Sequence, residues 1–206
     1  MMVELIVPDS SFGVFGRMPP LEFQTRIRRI NGLVHPFTGD FSTPNELNAK
    51  FAEYNGFVGE TIAKPDAVMV FVGTASPDTV EKLRQLEPTL ARRLSEGLPD
   101  LSDGERDALK QQLKARGVYI MSNARYGFLE ELSVLHKAAT GLSPGRLVYY
   151  ESSIDQADIS SSLSRRIDAV SVDVVFRGEK TDVCVKDQAG FLCNALNISR
   201  GRLKIV

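Results

Sequence analysis

The sequence predicts a three-layer α/β fold, in which a mainly parallel sheet is flanked by helices. Two observations predict it. Short apolar strands alternate along the chain with segments of helical periodicity, the pattern of strand–helix–strand units. The most apolar stretch, residues 67–72, has no polar face, which indicates a central parallel strand covered by helices on both sides.

The remaining elements follow from local pattern in chain order. A helix is predicted to start at Pro44, because Thr43 is a favourable N-terminal cap and apolar residues recur from Leu47 to Val58 at three- and four-residue steps. Further helices are predicted within residues 21–30, 79–94, 102–115, 128–139, 159–169 and 193–198. Further strands are predicted at residues 5–7, 118–121, 147–150, 172–176, 183–185 and 203–206.

Length and composition favour one domain over residues 1–206, with a helical insertion predicted at 98–145. The 25 basic and 26 acidic residues give a net charge of -1, so no excess charge indicates a nucleic acid or a membrane surface as partner. The start of the chain lacks a secretory signal, and the longest apolar run is too short to span a bilayer. We therefore expect a cytoplasmic protein with two free thiols, whose self-association stays open.

Several chemistries lack their motif in this sequence. Neither a glycine-rich phosphate loop nor a dinucleotide fingerprint is present, and the serine-hydrolase elbow is missing too. The only histidines are His35 and His136, which excludes a zinc site built on several histidines. We expect no metal and no cofactor.

The strongest candidate for chemistry is the segment from Val183 to Asn194, in which a predicted strand enters a small-residue turn and Cys193 opens a predicted helix. A thiol at a helix N-terminus is favoured as thiolate by the helix dipole. Free backbone N–H groups there can stabilise an oxyanion. On local pattern alone, a buried structural cysteine is the favoured explanation of Cys193, because free cysteine is among the most buried residue types.

Three segments together resemble the pyroglutamyl peptidase I (pyrrolidone-carboxylate peptidase) family, whose members remove an N-terminal pyroglutamate through a cysteine. They are Phe12-Gly13-Val14-Phe15-Gly16 near the start, the strand at residues 65–75, and Ala189-Gly190-Phe191-Leu192-Cys193-Asn194. The resemblance implies a phosphorylase/hydrolase-like fold and a small peptide substrate. It also implies Cys193 as nucleophile, Glu81 or Glu87 as the catalytic glutamate, and Phe12 and Phe15 as the walls of the pyroglutamyl pocket.

No histidine follows Cys193 in the sequence, although the family's catalytic histidine lies beyond its cysteine. Two hypotheses therefore stand at this point. The chain is either a pyroglutamyl-peptidase-like cysteine hydrolase or a catalytically silent domain of the same fold that acts as a binding or interaction module. A coincidental motif match on an unrelated α/β domain is a third reading.

Overall fold

A computed structural model describes residues 26–73, 102–115, 126–143, 145–150 and 156–206. Within them, five strands form one sheet in the order β3-β2-β1-β4-β5, and every neighbouring pair is parallel. The strands are β1 (Arg29–Val34), β2 (Ala67–Val72), β3 (Leu147–Tyr150), β4 (Asp173–Gly178) and β5 (Leu203–Ile205). The predicted parallel sheet is confirmed.

Helices cover both faces of this sheet. The described helices are α1 (Pro44–Ile62), α2 (Asp103–Ala115), α3 (Gly127–Gly141), α4 (Gln156–Leu163) and α5 (Lys186–Ala195). Apolar residues of α1 and α3 pack on one face, and those of α4 and α5 pack on the other. The predicted three-layer α/β architecture is therefore confirmed. None of the described helices combines the length and apolar character needed to cross a membrane.

The middle strand, β1, was not predicted. A helix was predicted within residues 21–30, but the described part of that range, residues 26–30, contains the start of β1 and no helix. Strand β1 also contains Asn31 and Gly32, which are unfavourable strand residues. Both residues have a packing reason. The Nδ2 of Asn31 donates a hydrogen bond of 2.7 Å to Oγ1 of Thr61 on α1. A Cβ at Gly32 would lie 2.5 Å from the ring of Phe176. Residues 67–72 form an interior parallel strand that is buried throughout, as predicted, although the middle one of the five described strands is β1 and β2 lies between β1 and β3.

Two predictions near the end of the described chain are also wrong. Residues 183–185 do not form a strand but belong to a π turn, Thr181–Val185, that leads directly into α5. Residues 193–198 do not begin a helix, because α5 begins at Lys186 and ends at Ala195. The strands predicted at residues 5–7 and 118–121 and the helix at 79–94 lie outside the described residues.

Helix α1 starts as predicted and fixes the loop before it. The side chain of Thr43 accepts a hydrogen bond of 3.3 Å from the backbone N–H of Glu46, and Pro44 occupies the first turn. Pro suits this place because its missing N–H would have no partner there. The loop of residues 35–43 is thereby held between the end of β1 and a capped helix.

The strand order reverses at β1. The chain leaves β1 for β2 on one side, and it later returns to the other side of β1 as β4. We call the end of the sheet where Val34, Val72 and Gly178 lie the carboxyl edge, and the opposite end the amino edge. In open α/β sheets such a reversal leaves a crevice at the carboxyl edge, which is where ligands bind.

Candidate functional site

The loop after β1 is anchored at this crevice by its own side chains. The backbone N–H of His35 donates to the carbonyl of Val72 at 2.8 Å, and the hydroxyl of Thr38 donates to the carbonyl of His35 at 2.9 Å. The Phe37 ring is fully buried and meets the Tyr54 ring edge-on, with centroids 5.2 Å apart. His35 is therefore presented by a rigid turn.

Two residues of this turn have left-handed backbone conformations. His35 has φ 43° and Phe37 has φ 66°. Such conformations cost non-glycine residues roughly 1–3 kcal/mol each and collect at functional sites, where the surrounding structure enforces them. Here the buried Phe37 ring and the Thr38 hydrogen bond supply that constraint.

The imidazole of His35 has an unmet hydrogen-bonding group. Its Nδ1 atom is buried and has no hydrogen-bond partner in the described part of the chain. Burial lowers the pKa of His35 below its ordinary value, and the charge of Lys180 lowers it further. The ring is therefore neutral at physiological pH. A buried polar atom without a partner costs about 1–3 kcal/mol, which makes Nδ1 a position where a ligand atom would be stabilising.

The opposite wall of the crevice follows β4. The hydroxyl of Tyr54, on α1, donates a hydrogen bond to Oε1 of Glu179. Lys50 Nζ lies 3.9 Å from the same oxygen. Burial, followed by the hydrogen bond to Glu179, raises the pKa of Tyr54, so the phenol stays protonated. A Cβ at Gly39 would lie 3.0 Å from Oε2 of Glu179, which places this carboxylate beside the His35 turn.

A second carboxylate links this wall to the sheet. Oε2 of Glu53 lies 3.1 Å from Nζ of Lys50, and its Oε1 lies 3.3 Å from a guanidinium nitrogen of Arg177 on β4. The guanidinium of Arg177 also stacks on the Phe57 ring, with its Cζ 4.8 Å from the centroid. Lys50 and Arg177 therefore have counter-charges on α1 and after β4.

The last residue of β4 must be small. A Cβ at Gly178 would overlap the carbonyl oxygen of Val34 and lie 2.8 Å from Cγ2 of Val185. Glycine thus lets β4 approach β1 closely where the crevice begins.

Cys193 does not have the surroundings that the sequence predicted for it. It lies in the last turns of α5, about 10 Å along the helix axis from Lys186. Its side chain is 1% exposed and packs in the apolar layer under α4 and α5. Burial raises the pKa of the thiol, against a smaller opposing effect of Arg200. The predicted helix N-terminus is therefore wrong, and the raised pKa opposes the predicted thiolate.

The other residues named by the family resemblance receive no structural test. Phe12, Phe15, Glu81 and Glu87 lie outside the described residues. His136 lies on α3, which packs on the face of the sheet opposite to Cys193, and His35 lies at the carboxyl edge. Neither histidine is placed to act on this thiol.

A second polar cluster lies between α2 and α3. Arg106 donates hydrogen bonds to the carboxylate of Glu130 and, at 3.1 Å, to the carbonyl of Tyr126. The pKa of Glu130 is raised by burial, although Arg106 opposes the shift. Oε2 of Glu130 has no partner, but the side chain is fully buried. Because the whole side chain is buried between two helices and its other oxygen is already bonded to Arg106, we regard this cluster as part of the helix packing.

No local sequence pattern identified His35 as a candidate site residue. His35 falls in a Pro- and Gly-containing stretch that reads only as a loop, since nothing local shows that it follows the middle strand. In the described part of the chain, no three His, Cys, Asp or Glu residues are grouped so that they could hold a metal ion. No protein-family model, curated protein or solved structure matches the chain, so the site is assigned from its own geometry.

Proposed function

We propose that the chain is a binding domain for a small ligand, and that its site is the crevice between the ends of β1 and β4. Of the two hypotheses from the sequence, this is the binding module. The observation that carries the proposal is the buried, unpartnered Nδ1 of His35 at the carboxyl edge. A histidine held in a left-handed conformation with an unmet polar atom is costly to keep unless a ligand uses it.

The position of the crevice supports the same conclusion. It lies where the strand order reverses, and it is bounded by polar side chains on both walls: His35 on one, Glu179 and Lys180 on the other. Few polar groups at fixed places in a cleft are the common pattern of small-molecule sites. The loop after β1 contains a single glycine, Gly39, so it does not have the glycine pattern with which such folds bind dinucleotides.

A ligand screen with matched histidine variants tests the proposal. A set of small anionic, neutral and cationic compounds is added to the protein, and binding is measured by saturation-transfer NMR on the compounds. We expect compounds that bind the parent to lose about tenfold in affinity in His35→Gln, because a hydrogen bond in a shielded site is lost. His136→Gln, the change at the other histidine, is expected to retain binding.

Circular dichroism of each variant confirms that the comparison is made between folded proteins. The proposal fails if every bound compound has the same affinity for the parent and for His35→Gln. It also fails if no compound in any charge class binds the parent.

The pyroglutamyl-peptidase-like hydrolase stays a prediction, and its decisive residue is Cys193. Since burial raises the thiol's pKa and no histidine lies beside it, we expect no release of a fluorogenic amine from a pyroglutamyl amide that depends on Cys193. The release is measured for the parent, Cys193→Ala and Cys184→Ala. Activity that is abolished in Cys193→Ala but kept in Cys184→Ala would restore the hydrolase hypothesis.

A further inference from the structure

Lys180 differs from the other cations around the crevice. Lys50 and Arg177 are both paired with carboxylates. Lys180 is exposed, and its ammonium forms no ion pair with any described residue. The backbone of Lys180 is nevertheless fixed, because its carbonyl accepts hydrogen bonds from the N–H groups of Val183 and Val185 at 3.3 and 3.1 Å. The backbone that carries this positive charge is thus fixed beside the end of β4.

The charge of Lys180 reaches the imidazole on the opposite wall. His35 follows Val34 on β1, and Lys180 lies two residues beyond Gly178, the residue paired with Val34 on β4, so the two residues lie at adjacent strand ends. The charge of Lys180 also contributes to lowering the pKa of His35. A cationic ligand at Nδ1 would be repelled by this ammonium, and a neutral ligand would leave it unpaired. A neutral imidazole can donate one N–H hydrogen bond, and an anion can accept that bond and the ammonium's together.

The carboxylates nearby do not cancel this preference. Glu179 already accepts from Tyr54 and faces Lys50, and Glu53 lies between Lys50 and Arg177. Their negative charges are therefore opposed by two cations and a phenol hydroxyl. Lys180 is the cation in this group of described residues that has no carboxylate partner.

We propose that the crevice binds a small anion, a carboxylate or a phosphate, between the ammonium of Lys180 and Nδ1 of His35. This inference rests on the proposed function and names the chemical class of its ligand. Carboxylates and phosphates share the acceptor oxygens and negative charge that the two groups require.

Histidine NMR tests the inference directly, because the chain has only two histidines. The Cε1–Hε1 signals are assigned with His35→Gln and followed while inorganic phosphate or acetate is added at constant ionic strength. We expect a saturable shift of the His35 signal in at least one titration, with the His136 signal unmoved. Saturation by phosphate alone, or by acetate alone, identifies which anion the crevice prefers.

Two lysine variants with the same change of net charge give the matched comparison. Lys180→Gln is expected to weaken anion binding about fivefold or more, because an ion pair is lost. Lys186→Gln is expected to leave it unchanged, since Lys186 is already paired with Asp182 at 2.8 Å. Both lysines are exposed, so both variants should fold.

Three outcomes would overturn the inference. They are a shift that rises linearly without saturation, equal affinity in Lys180→Gln and the parent, and equal losses in the two lysine variants. Failure of the proposed function is recognised separately. If neutral or cationic compounds bind in a His35-dependent way while both anions fail, the crevice is a binding site for another class of ligand. If nothing binds, both proposals fall.

Discussion

Arg146 at the amino edge of the sheet and His35 at the carboxyl edge differ in whether their side-chain polar atoms have hydrogen-bond partners. At the amino edge, Arg146 donates hydrogen bonds to three carbonyls, those of Ala67 at 2.9 Å, Thr61 at 2.6 Å and Lys64. Thr61 lies at the end of α1, Lys64 follows it and Ala67 begins β2, so Arg146 ties these two elements together where the carbonyls of Thr61 and Lys64 also accept backbone hydrogen bonds. At the carboxyl edge, Nδ1 of His35 and the ammonium of Lys180 have no such partner among the described residues.

This difference separates groups that stabilise the fold from groups available for binding. A cation that satisfies several backbone carbonyls contributes to stability, and changing it affects folding. An imidazole whose buried Nδ1 atom has no partner among the described residues costs stability, and an exposed cation without a counter-charge contributes little to it. Together with the reversal of the strand order at β1, these groups are the reason for placing the proposed binding site at the carboxyl edge.

The largest effect on stability is expected at the amino edge. Replacing Arg146 by Met keeps most of the side-chain length but removes all three hydrogen bonds, so we expect the free energy of unfolding to fall by about 2–4 kcal/mol. Urea denaturation monitored by circular dichroism measures the change. Arg165→Met, a change at an exposed arginine, should alter stability by less than about 0.5 kcal/mol. Equal effects in the two variants would remove the distinction between the edges.

A smaller, pH-dependent effect is expected from His35. Its folded-state pKa lies below the ordinary 6.5, so as the pH falls below that value the unfolded chain takes up a proton that the folded chain resists. The stability contribution of the neutral ring is therefore present above the ordinary pKa and is lost in acid. We expect the parent to lose more stability than His35→Gln between about pH 7.5 and pH 5.

Urea denaturation of both proteins at the two pH values checks this difference. His136→Gln should behave like the parent, because it leaves His35 in place. A steeper pH dependence in His35→Gln than in the parent would contradict the neutral, buried imidazole.

The smallest effect is expected from Lys180, and it is electrostatic. Lys180→Gln removes a charge that lowers the pKa of His35, so this pKa should rise in the variant. It should stay below the ordinary value, because burial is the larger cause. The His35 NMR signal followed against pH gives the measurement. An unchanged pKa would mean that the ammonium and the imidazole are too far apart to hold one ligand.

The sequence predicted those elements whose local pattern agrees with their place in the fold. Strand β2 is apolar throughout and lies inside the sheet, and α1 carries its cap and apolar stripe in the sequence. Strand β1 was missed because Asn31 and Gly32 are poor strand residues by themselves. They fit only because Thr61 and the Phe176 ring come from distant parts of the chain.

The site was harder to predict than the fold for the same reason. Cys193 was favoured because the segment before it looked extended, but the π turn and α5 make that segment helical and place the thiol seven residues beyond the start of α5. His35 received no emphasis, because its importance comes from the strand order and from Lys180, 145 positions later in the sequence. Neither relation leaves a local signal.

The π turn has a consequence for how the crevice can change in evolution. The N–H of Val185 donates to the carbonyl of Lys180, five residues back, at 3.1 Å, so this turn holds one residue more than a turn of α-helix does. Val183, which is 60% exposed, is the residue most easily removed. Its deletion would let the turn close as α-helix and rotate Lys180 by about 100° around the helix axis. The buried residues that follow, from Val185 to Cys193, belong to the apolar layer under α4 and α5, so we expect this deletion to reorient Lys180 while the core of the domain stays the same.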